Sequence, residues 1–117
     1  MNYISETVKI GESVKLGYFT VVEENVQIGD NCIIGSNVVI HSGTKIGNNV
    51  RIDDFCILSG NITLKNNIHI SAYCALYGKF GIEIGDYSGL SPRCTLFSAS
   101  DDFSGDFNRA NDLFKIH

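Results

Sequence analysis

The chain has 117 residues, of which 44% are apolar, and carries a formal net charge of −4. This length fits one domain, and an acidic balance without a run of Lys or Arg argues against nucleic acid or an anionic membrane surface as partner. The sequence shows neither a signal-like N-terminus nor an apolar run near the ~18 residues of a membrane span, so we expect a cytoplasmic protein.

Residues 1–7 are predicted to form an N-terminal cap, and a strict six-residue period follows them over residues 8–99. A β-branched or small residue stands two positions before each aliphatic residue of the period. Because residues two apart on a strand point to the same side, both positions are predicted to face inward. The aliphatic positions are Ile10, Leu16, Val22, Ile28, Ile34, Ile40, Ile46, Ile52, Leu58, Leu64, Ile70, Leu76 and, after two inserted residues, Ile84, Leu90 and Leu96.

Gly often follows the aliphatic residue, and Asn recurs in a further phase; both tolerate the left-handed backbone region that sharp turns use. An amphipathic helix would need a period of 3.6, and an ordinary sheet would alternate without fixed punctuation. Three short strands and three turns instead make one triangular coil of eighteen residues. The sequence therefore predicts an all-β fold of five stacked coils, at 8–25, 26–43, 44–61, 62–81 and 82–99. The repeated pattern resembles the hexapeptide-repeat proteins, which implies a left-handed parallel β-helix.

All four cysteines fall in the inward small-residue phase: Cys32, Cys56, Cys74 and Cys94. Metal ligands converge from different directions, whereas Cys56, Cys74 and Cys94 would project in parallel from one face. We therefore expect free, unreactive thiols that act as small buried side chains, and no metal.

An aromatic-rich column is predicted at the corner after the second strand of each coil. Its members, one from each coil, are Phe19, Asn37, Phe55, Tyr73 and Arg93. Tyr77 and Phe97 share the turn after the third strand. Large exposed apolar patches usually mark an interface, so packing between subunits stands beside scattered surface aromatics as an interpretation.

The segment at 84–105 reads IGDYSGLSPRCTLFSASDDFSG and looks like the sugar and antibiotic O-acetyltransferase branch of the hexapeptide acyltransferases. The resemblance implies a homotrimer that moves an acetyl group from acetyl-CoA to a hydroxyl or amine of a sugar-like small molecule. In that branch a loop histidine is the general base, and the resemblance puts Asp101 in its place, so Asp101 or Asp102 would be the catalytic base. The residues expected to contact substrate are Arg93, Ser98 and Ser100.

An aspartate, with a pKa near ~3.9, is a weaker base than a histidine near ~6.5 unless burial or a neighbouring carboxylate raises its pKa. The alternative is that Asp101 and Asp102 cap a turn or face solvent. His41, His69 and His117 are expected to be exposed structural residues. Their spacing fits poorly the three-histidine zinc site of the γ-class carbonic anhydrases, which share the fold.

Residues 100–117 are predicted to form a loop and a C-terminal cap. Acyltransferases of this type usually continue with more coils, along which coenzyme A lies, and no further hexads follow residue 99 here. Either a fragment or a shortened natural protein fits this pattern. The competing function is a non-catalytic hexapeptide solenoid that self-assembles or binds a ligand. The cap would turn four apolar side chains onto the last coil: Phe107, Leu113, Phe114 and Ile116.

Overall fold

Short β-strands make up the regular structure of the computed structural model, which describes residues 1–98 and 114–116. Most strands have only two residues, because a polar corner follows each inward aliphatic residue. They are β1 (Tyr3–Ile4), β2 (Lys9–Ile10), β3 (Lys15–Leu16), β4 (Val21–Val22), β5 (Gln27–Ile28), β6 (Ile33–Ile34), β7 (Val39–Ile40), β8 (Lys45–Ile46), β9 (Arg51–Ile52), β10 (Ile57–Leu64), β11 (His69–Ile70), β12 (Ala75–Ile84), β13 (Gly89–Leu90), β14 (Thr95–Phe97) and β15 (Phe114–Ile116).

Strands β1 to β14 stack in parallel as the three walls of a triangular prism, which confirms the predicted left-handed parallel β-helix of about five coils. Ile34 pairs with Ile52, and Ile52 pairs with Ile70, so residues eighteen apart lie above one another. Face A contains β2, β5, β8, the ends of β10 and β12, and β15. Face B contains β3, β6, β9, β11 and β13. Face C contains β1, β4, β7, the starts of β10 and β12, and β14.

The inside of the prism is filled by the two inward residues of each hexad. Ile52, Leu58 and Ile70 are fully buried in one continuous apolar core. Ile10 of the first coil is 42% exposed, because among the described residues no strand pairs with β2 on its outer side. The core is therefore complete in the middle coils and open at the N-terminal end.

Both ends of the stack contain a strand outside the predicted repeat of residues 8–99. β1 pairs with β4, with Tyr3 opposite Val21, so stacking begins within residues 1–7. β15 pairs with β12 in the antiparallel direction, with Ile116 opposite Ile82, and covers the C-terminal edge of face A. Ile116 is partly buried against the core.

The cysteines are free, and Cys32, Cys56 and Cys74 are buried. Each buried thiol donates a hydrogen bond to a backbone carbonyl of the next coil; the distance is 3.1 Å from Cys56 Sγ to the oxygen of Ser71. Thr20 Oγ1 donates to the Gly35 oxygen in the same way, at 2.7 Å. Cysteine thus behaves as a small core residue with a weak donor.

A ladder of side-chain hydrogen bonds closes the first corner, between faces A and B. The backbone N–H of Asp30 donates to Asn48 Oδ1, that of Asn48 to Asn66 Oδ1, and that of Asn66 to Asp86 Oδ1, each at 2.8 Å. These amides are not used by the strand pairing, and a corner amide without a partner would be costly where the coils are packed. Asp and Asn at this position therefore hold neighbouring coils together.

Glycine is required after the inward aliphatic residue because a larger residue would collide with the next coil. The expectation from the sequence, that this glycine adopts a left-handed backbone conformation, is wrong. Among the described glycines only Gly43, Gly60 and Gly81 have positive φ. A Cβ at Gly29 would instead lie 2.5 Å from the carbonyl oxygen of Gly47 in the next coil. The left-handed residue of the corner is the Asn two places later, as at Asn31 with φ +58°.

The predicted column of aromatic residues does form at the second corner, between faces B and C. The rings of Phe55 and Tyr73 are stacked, with centroids 5.0 Å apart and an interplanar angle of 8°. Phe19, Phe55 and Tyr73 are 66%, 48% and 55% exposed. All three have φ near +60°, a left-handed conformation that costs an L-residue roughly 1–2 kcal/mol.

The two inserted residues lie at the third corner, between faces C and A. Gly60 pairs with Gly78 and Ile62 with Ile82, so the register shifts by two residues within this turn. The stacked rings of Tyr77 and Phe97, 5.2 Å apart, lie next to it. The insertion is absorbed at a corner, and the inward residues on both sides keep their places.

Candidate functional site

The loop predicted to contain the catalytic aspartates lies outside the described residues. This applies to Asp101, Asp102 and Ser100, so their roles remain predictions. The structure describes Arg93 and Ser98, the two other residues predicted to contact substrate.

Arg93 stands at the second corner, at the end of the aromatic column. Its guanidinium carbon lies 5.8 Å from the centroid of the Tyr73 ring, within the range of a cation–π contact. Its backbone is left-handed, with φ +61°, and its side chain is exposed. Arg93 thus places a positive charge at the end of an aromatic-rich column.

Ser98 stands at the third corner, where its hydroxyl holds the inserted turn. Ser98 Oγ accepts a hydrogen bond from the backbone N–H of Phe80 at 2.8 Å, and the Ser98 N–H donates to the Tyr77 oxygen at 3.0 Å. Arg93 and Ser98 precede and follow β14, which separates them by roughly 16 Å of extended chain. The structure therefore does not bring these two predicted site residues together.

A charged cluster on face B joins residues of two adjacent coils. Asp53 accepts a hydrogen bond from Arg51 Nε at 2.9 Å through Oδ1, and one from His69 Nε2 at 2.8 Å through Oδ2. Burial acts to raise the pKa of Asp53, but the bonds from His69 and Arg51 lower it, and the balance lies below the ordinary value. Asp53 is therefore ionised at neutral pH.

This arrangement suits His69 to accept a proton. A carboxylate can only accept a hydrogen bond, so Nε2 carries the hydrogen and Nδ1 of the neutral ring has the free lone pair. The His69 side chain is 51% exposed. Its partner in the next coil is Gly89, which has no side chain to cover the imidazole.

The pairing of His69 with Asp53 was not predicted from the sequence. The two residues are sixteen positions apart, whereas stacked residues are eighteen apart. His69 is therefore the diagonal neighbour of Asp53, two positions before the residue that stacks on it. An outward acid followed sixteen residues later by an outward histidine is the sequence pattern that could have predicted this pair.

A second histidine–carboxylate pair lies at the third corner. His41 Nδ1 is 2.9 Å from Glu23 Oε1, and the same oxygen accepts the N–H of Ser42 at 3.3 Å. Glu23 therefore fixes both the ring and the turn. No second cation shares this carboxylate among the described contacts, in contrast to Asp53.

A shallow depression lies beside the inserted turn, on the outside of face A. Its lining residues are Asn61, Thr63, Gly81, Ile82 and Glu83. The described ranges contain no group of three or more His, Cys, Asp or Glu side chains able to hold a metal ion. Nor does any helix in residues 1–98 or 114–116 have the length and apolar character needed to cross a bilayer.

Comparison with known proteins links the repeats to a family of transferases. The family described as bacterial transferase hexapeptide (six repeats) matches residues 7–42. The crystal structure of LpxA, a UDP-N-acetylglucosamine acyltransferase from Bacteroides fragilis 9343, is similar over 83% of this chain and 67% of its own, with 19% sequence identity and a TM-score of 0.40. No curated protein sequence matches. The first two coils of the prism are therefore similar to the repeat of the bacterial hexapeptide transferases.

Proposed function

We propose that the protein is an acyltransferase that moves an acetyl group from acetyl-CoA to a hydroxyl or amine of a sugar-like small molecule. The observation that carries this proposal is the match of residues 7–42 to the hexapeptide transferase repeat. The continuation of the same stacking through β14 supports it. A homotrimeric assembly, which the resemblance implies, and the cytoplasmic location expected from the sequence belong to the same proposal.

The reaction needs a base but no redox partner. The acceptor oxygen or nitrogen attacks the thioester carbonyl carbon and loses its proton to the base. The carbon–sulfur bond then breaks, and the coenzyme A thiolate leaves and takes up that proton. General acid–base catalysis of this kind contributes about 10²–10⁴-fold in rate.

His69 is the described side chain that is best arranged for this role. Its imidazole can accept a proton at Nδ1, and Asp53 would stabilise the imidazolium that then forms. Arg51, bound to the same carboxylate, keeps Asp53 ionised. The loop residues Asp101 and Asp102 are the alternative bases, with Arg93, Ser98 and Ser100 as the proposed substrate contacts.

Binding and turnover of acetyl-CoA test the proposed function directly. A ligand that binds only the folded state raises the melting temperature, so millimolar acetyl-CoA is expected to raise Tm. Release of the coenzyme A thiol, followed with a chromogenic disulfide in the presence of a panel of sugars and amines, is expected above the uncatalysed rate. If acetyl-CoA neither raises Tm nor releases thiol, the result would favour the non-catalytic solenoid.

Matched histidine variants test which group is the base. His69→Gln is expected to lower kcat for thiol release by about 10²–10⁴-fold. His41→Gln, at the other histidine–carboxylate pair, is expected to leave kcat within about twofold. If Asp101→Asn or Asp102→Asn shows the large loss while His69→Gln does not, the loop carboxylate is the base and the assignment of His69 is wrong.

A further inference from the structure

The aromatic column at the second corner contains a gap. Phe19, Asn37, Phe55 and Tyr73 occupy the same place in four successive coils, so Asn37 lies between two phenylalanines. The rings of Phe55 and Tyr73, one coil apart, have their centroids at 5.0 Å. Phe19 and Phe55 are two coils apart, and at about 4.8 Å for each coil roughly 10 Å separates their rings. We call the space between these two rings, outside Asn37, the notch.

The width of the notch matches one planar ring. A ring placed midway would lie about 5 Å from each phenylalanine, within the range of about 4.5–7 Å that aromatic pairs prefer. Among the described contacts, Phe55 stacks on a ring only on its Tyr73 side, and Phe19 stacks on none. Phe55 is 48% exposed and Phe19 66%. Both walls of the notch therefore leave aromatic surface in water.

The backbone of the two phenylalanines gives an independent observation. Phe19 and Phe55 have φ of +57° and +62°, whereas Ser13 and Asn49 take the equivalent place at the first corner of the same coils. A bulky residue with positive φ is an outlier, whereas Asn tolerates this conformation. Strain of this kind clusters at ligand sites and other functional positions. Folding alone therefore does not account for the two rings.

The inner end of the notch is polar. The side chain of Asn37 is exposed and makes no hydrogen bond with another described residue. Its amide group can donate and accept hydrogen bonds at the same time. Asp54 Oδ1 accepts the N–H of Ser36, the residue before Asn37, at 2.8 Å. The Asp54 carboxylate thus lies beside the notch, where its other oxygen can accept a further hydrogen bond.

Adenine has a ring edge that complements these groups. An Asn amide pairs with adenine through two hydrogen bonds, because its oxygen accepts from the N6 amino group and its nitrogen donates to N7. The second hydrogen of that amino group is then available to Asp54. A carbonyl oxygen in place of the amino group, as in hypoxanthine, would instead face the carboxylate with no hydrogen between them. The polar groups of the notch therefore select for an amino group on the ring.

The charges beside the notch favour a ligand without phosphate. Arg51 and His69 bind Asp53 and offset its charge. No cation among the described residues pairs with Asp54. Like charges brought together on binding are costly. A phosphate group next to Asp54 is therefore disfavoured, and a neutral nucleoside meets no such repulsion.

The surface on the other side of the notch is apolar. Face C follows the second corner, and the outward residues of its strands include no charged side chain: Tyr3, Val21, Val39, Ile57, Ala75 and Thr95. The outward residues of faces A and B include four cations: Lys9, Lys45, Lys15 and Arg51. Val39, two residues after Asn37, is half-buried. The carbon side of a ribose can rest on this surface.

We propose that the notch binds the adenine ring of a neutral nucleoside between Phe19 and Phe55. Stacking on both faces of the ring supplies the affinity, since each stack of a base on an aromatic side chain strengthens binding about 5- to 150-fold. Asn37 and Asp54 supply the selectivity for the base. The proposal does not rest on acyl transfer, and adenosine alone is sufficient as a probe.

Calorimetric titration of three variants with adenosine tests this proposal. Asn37→Phe supplies a ring from the chain itself, which fills the notch, and is expected to abolish measurable binding. Phe19→Asn removes one wall and is expected to raise Kd about 5- to 150-fold. The matched control is Asn31→Phe, which puts the same ring at the first corner of the same coil, where φ is +58°. It is expected to leave Kd within about twofold.

Far-UV circular dichroism checks the fold of each variant. Phe19→Asn keeps the test valid even if Asn37→Phe fails to fold, because Asn tolerates positive φ. Selectivity gives a second readout: inosine, which has the carbonyl, is expected to bind about 5-fold or more weakly than adenosine. AMP is expected to bind no more tightly than adenosine.

Several outcomes would overturn the proposal. One is a wild type that does not bind adenosine at about 1 mM. Another is a folded Phe19→Asn or Asn37→Phe variant with the wild-type Kd, or an equal loss in Asn31→Phe. Binding of coenzyme A or AMP that is tighter than that of adenosine and is lost in Asn37→Phe would contradict the preference for a neutral ligand.

Discussion

Glycine at the residue after an inward aliphatic position is fixed by the coil that stacks against it. An added Cβ at Gly29 would lie 2.5 Å from the Gly47 oxygen and 2.7 Å from its carbonyl carbon. Backbone atoms cannot move aside as a flexible side chain can. These positions therefore set the spacing between coils.

We predict that Gly29→Ala lowers the free energy of unfolding by about 1–3 kcal/mol, because the neighbouring coil must shift. The control is Gly43→Asn: Gly43 has φ +82° and open space within 4 Å of the point where a Cβ would stand, and Asn tolerates that φ. This control should stay within about 0.5 kcal/mol of wild type. Urea unfolding curves give both values, and equal losses would contradict the steric account.

Burial of the Cys56 thiol makes stability depend on alkaline pH. Burial raises the pKa of Cys56 to about 11 from 9.0. A group whose pKa is raised by folding contributes stability that is complete below the unfolded pKa and is lost as pH rises through the folded pKa. The relevant window therefore runs from about pH 9 to about pH 11.

We predict that the wild type loses up to about 2–3 kcal/mol of stability across this window through Cys56. Cys56→Ala removes this titration, so its stability should fall less between pH 8.5 and pH 11. Urea unfolding of both proteins at several pH values measures the difference. Curves that remain parallel would show that Cys56 does not titrate in this way.

At the residue scale, the sequence predicted those features that depend only on the type of residue at a position of the repeat. Asn31 at left-handed φ follows from the known tolerance of Asn, and the inward place of Cys56 follows from the period. Phe55 at positive φ did not follow, because an aromatic residue there opposes local preference. The bond between His69 and Asp53 did not follow either, because it joins two coils diagonally.

At the element scale, the stacking of the coils does not depend on the inserted turn at the third corner. Lys79 and Phe80 are the two residues by which this turn exceeds its counterpart at Gly60–Asn61. The Lys79 ammonium lies 5.6 Å from the Phe80 ring, and both side chains are exposed. The inward residues on either side keep the register of the coil below.

We predict that deleting Lys79 and Phe80 leaves the fold intact, with a loss of stability within about 1–2 kcal/mol. The loss reflects the bond between Phe80 N–H and Ser98 Oγ, and surface loops tolerate such changes in length. Thermal unfolding followed by circular dichroism measures it. A variant that fails to fold would show that the insertion is part of the core.

The six-residue period was sufficient to predict the repeating strands, because each inward pair contributes to the same core. The period extends to Ile4, six residues before Ile10, although β1 lies in the segment predicted as a cap, and it does not indicate β15. In β1 the inward place before Ile4 is taken by Asn2, whose amide bonds the backbone of Thr20 and Gly17. β15 runs antiparallel, so its pairing with β12 lies outside any parallel repeat.

At the scale of the whole molecule, the sequence predicted a three-sided tube but treated its sides as equivalent. The first residue of each strand points outward, and these residues occupy a single phase of the repeat in the sequence. Face C becomes distinctive only when every third hexad is compared. Residues of one face recur every eighteen positions, so the faces are distinguished by comparing residues eighteen apart and not six apart.

The direction of β15 bears on whether one prism can add to the end of another. A solenoid whose last coil offers three parallel edges is a template for the first coil of another molecule, and head-to-tail addition of this kind never closes. On face A that edge is already occupied by a strand running the other way. An incoming β2 would meet an antiparallel neighbour there, so we expect β15 to disfavour this addition on face A.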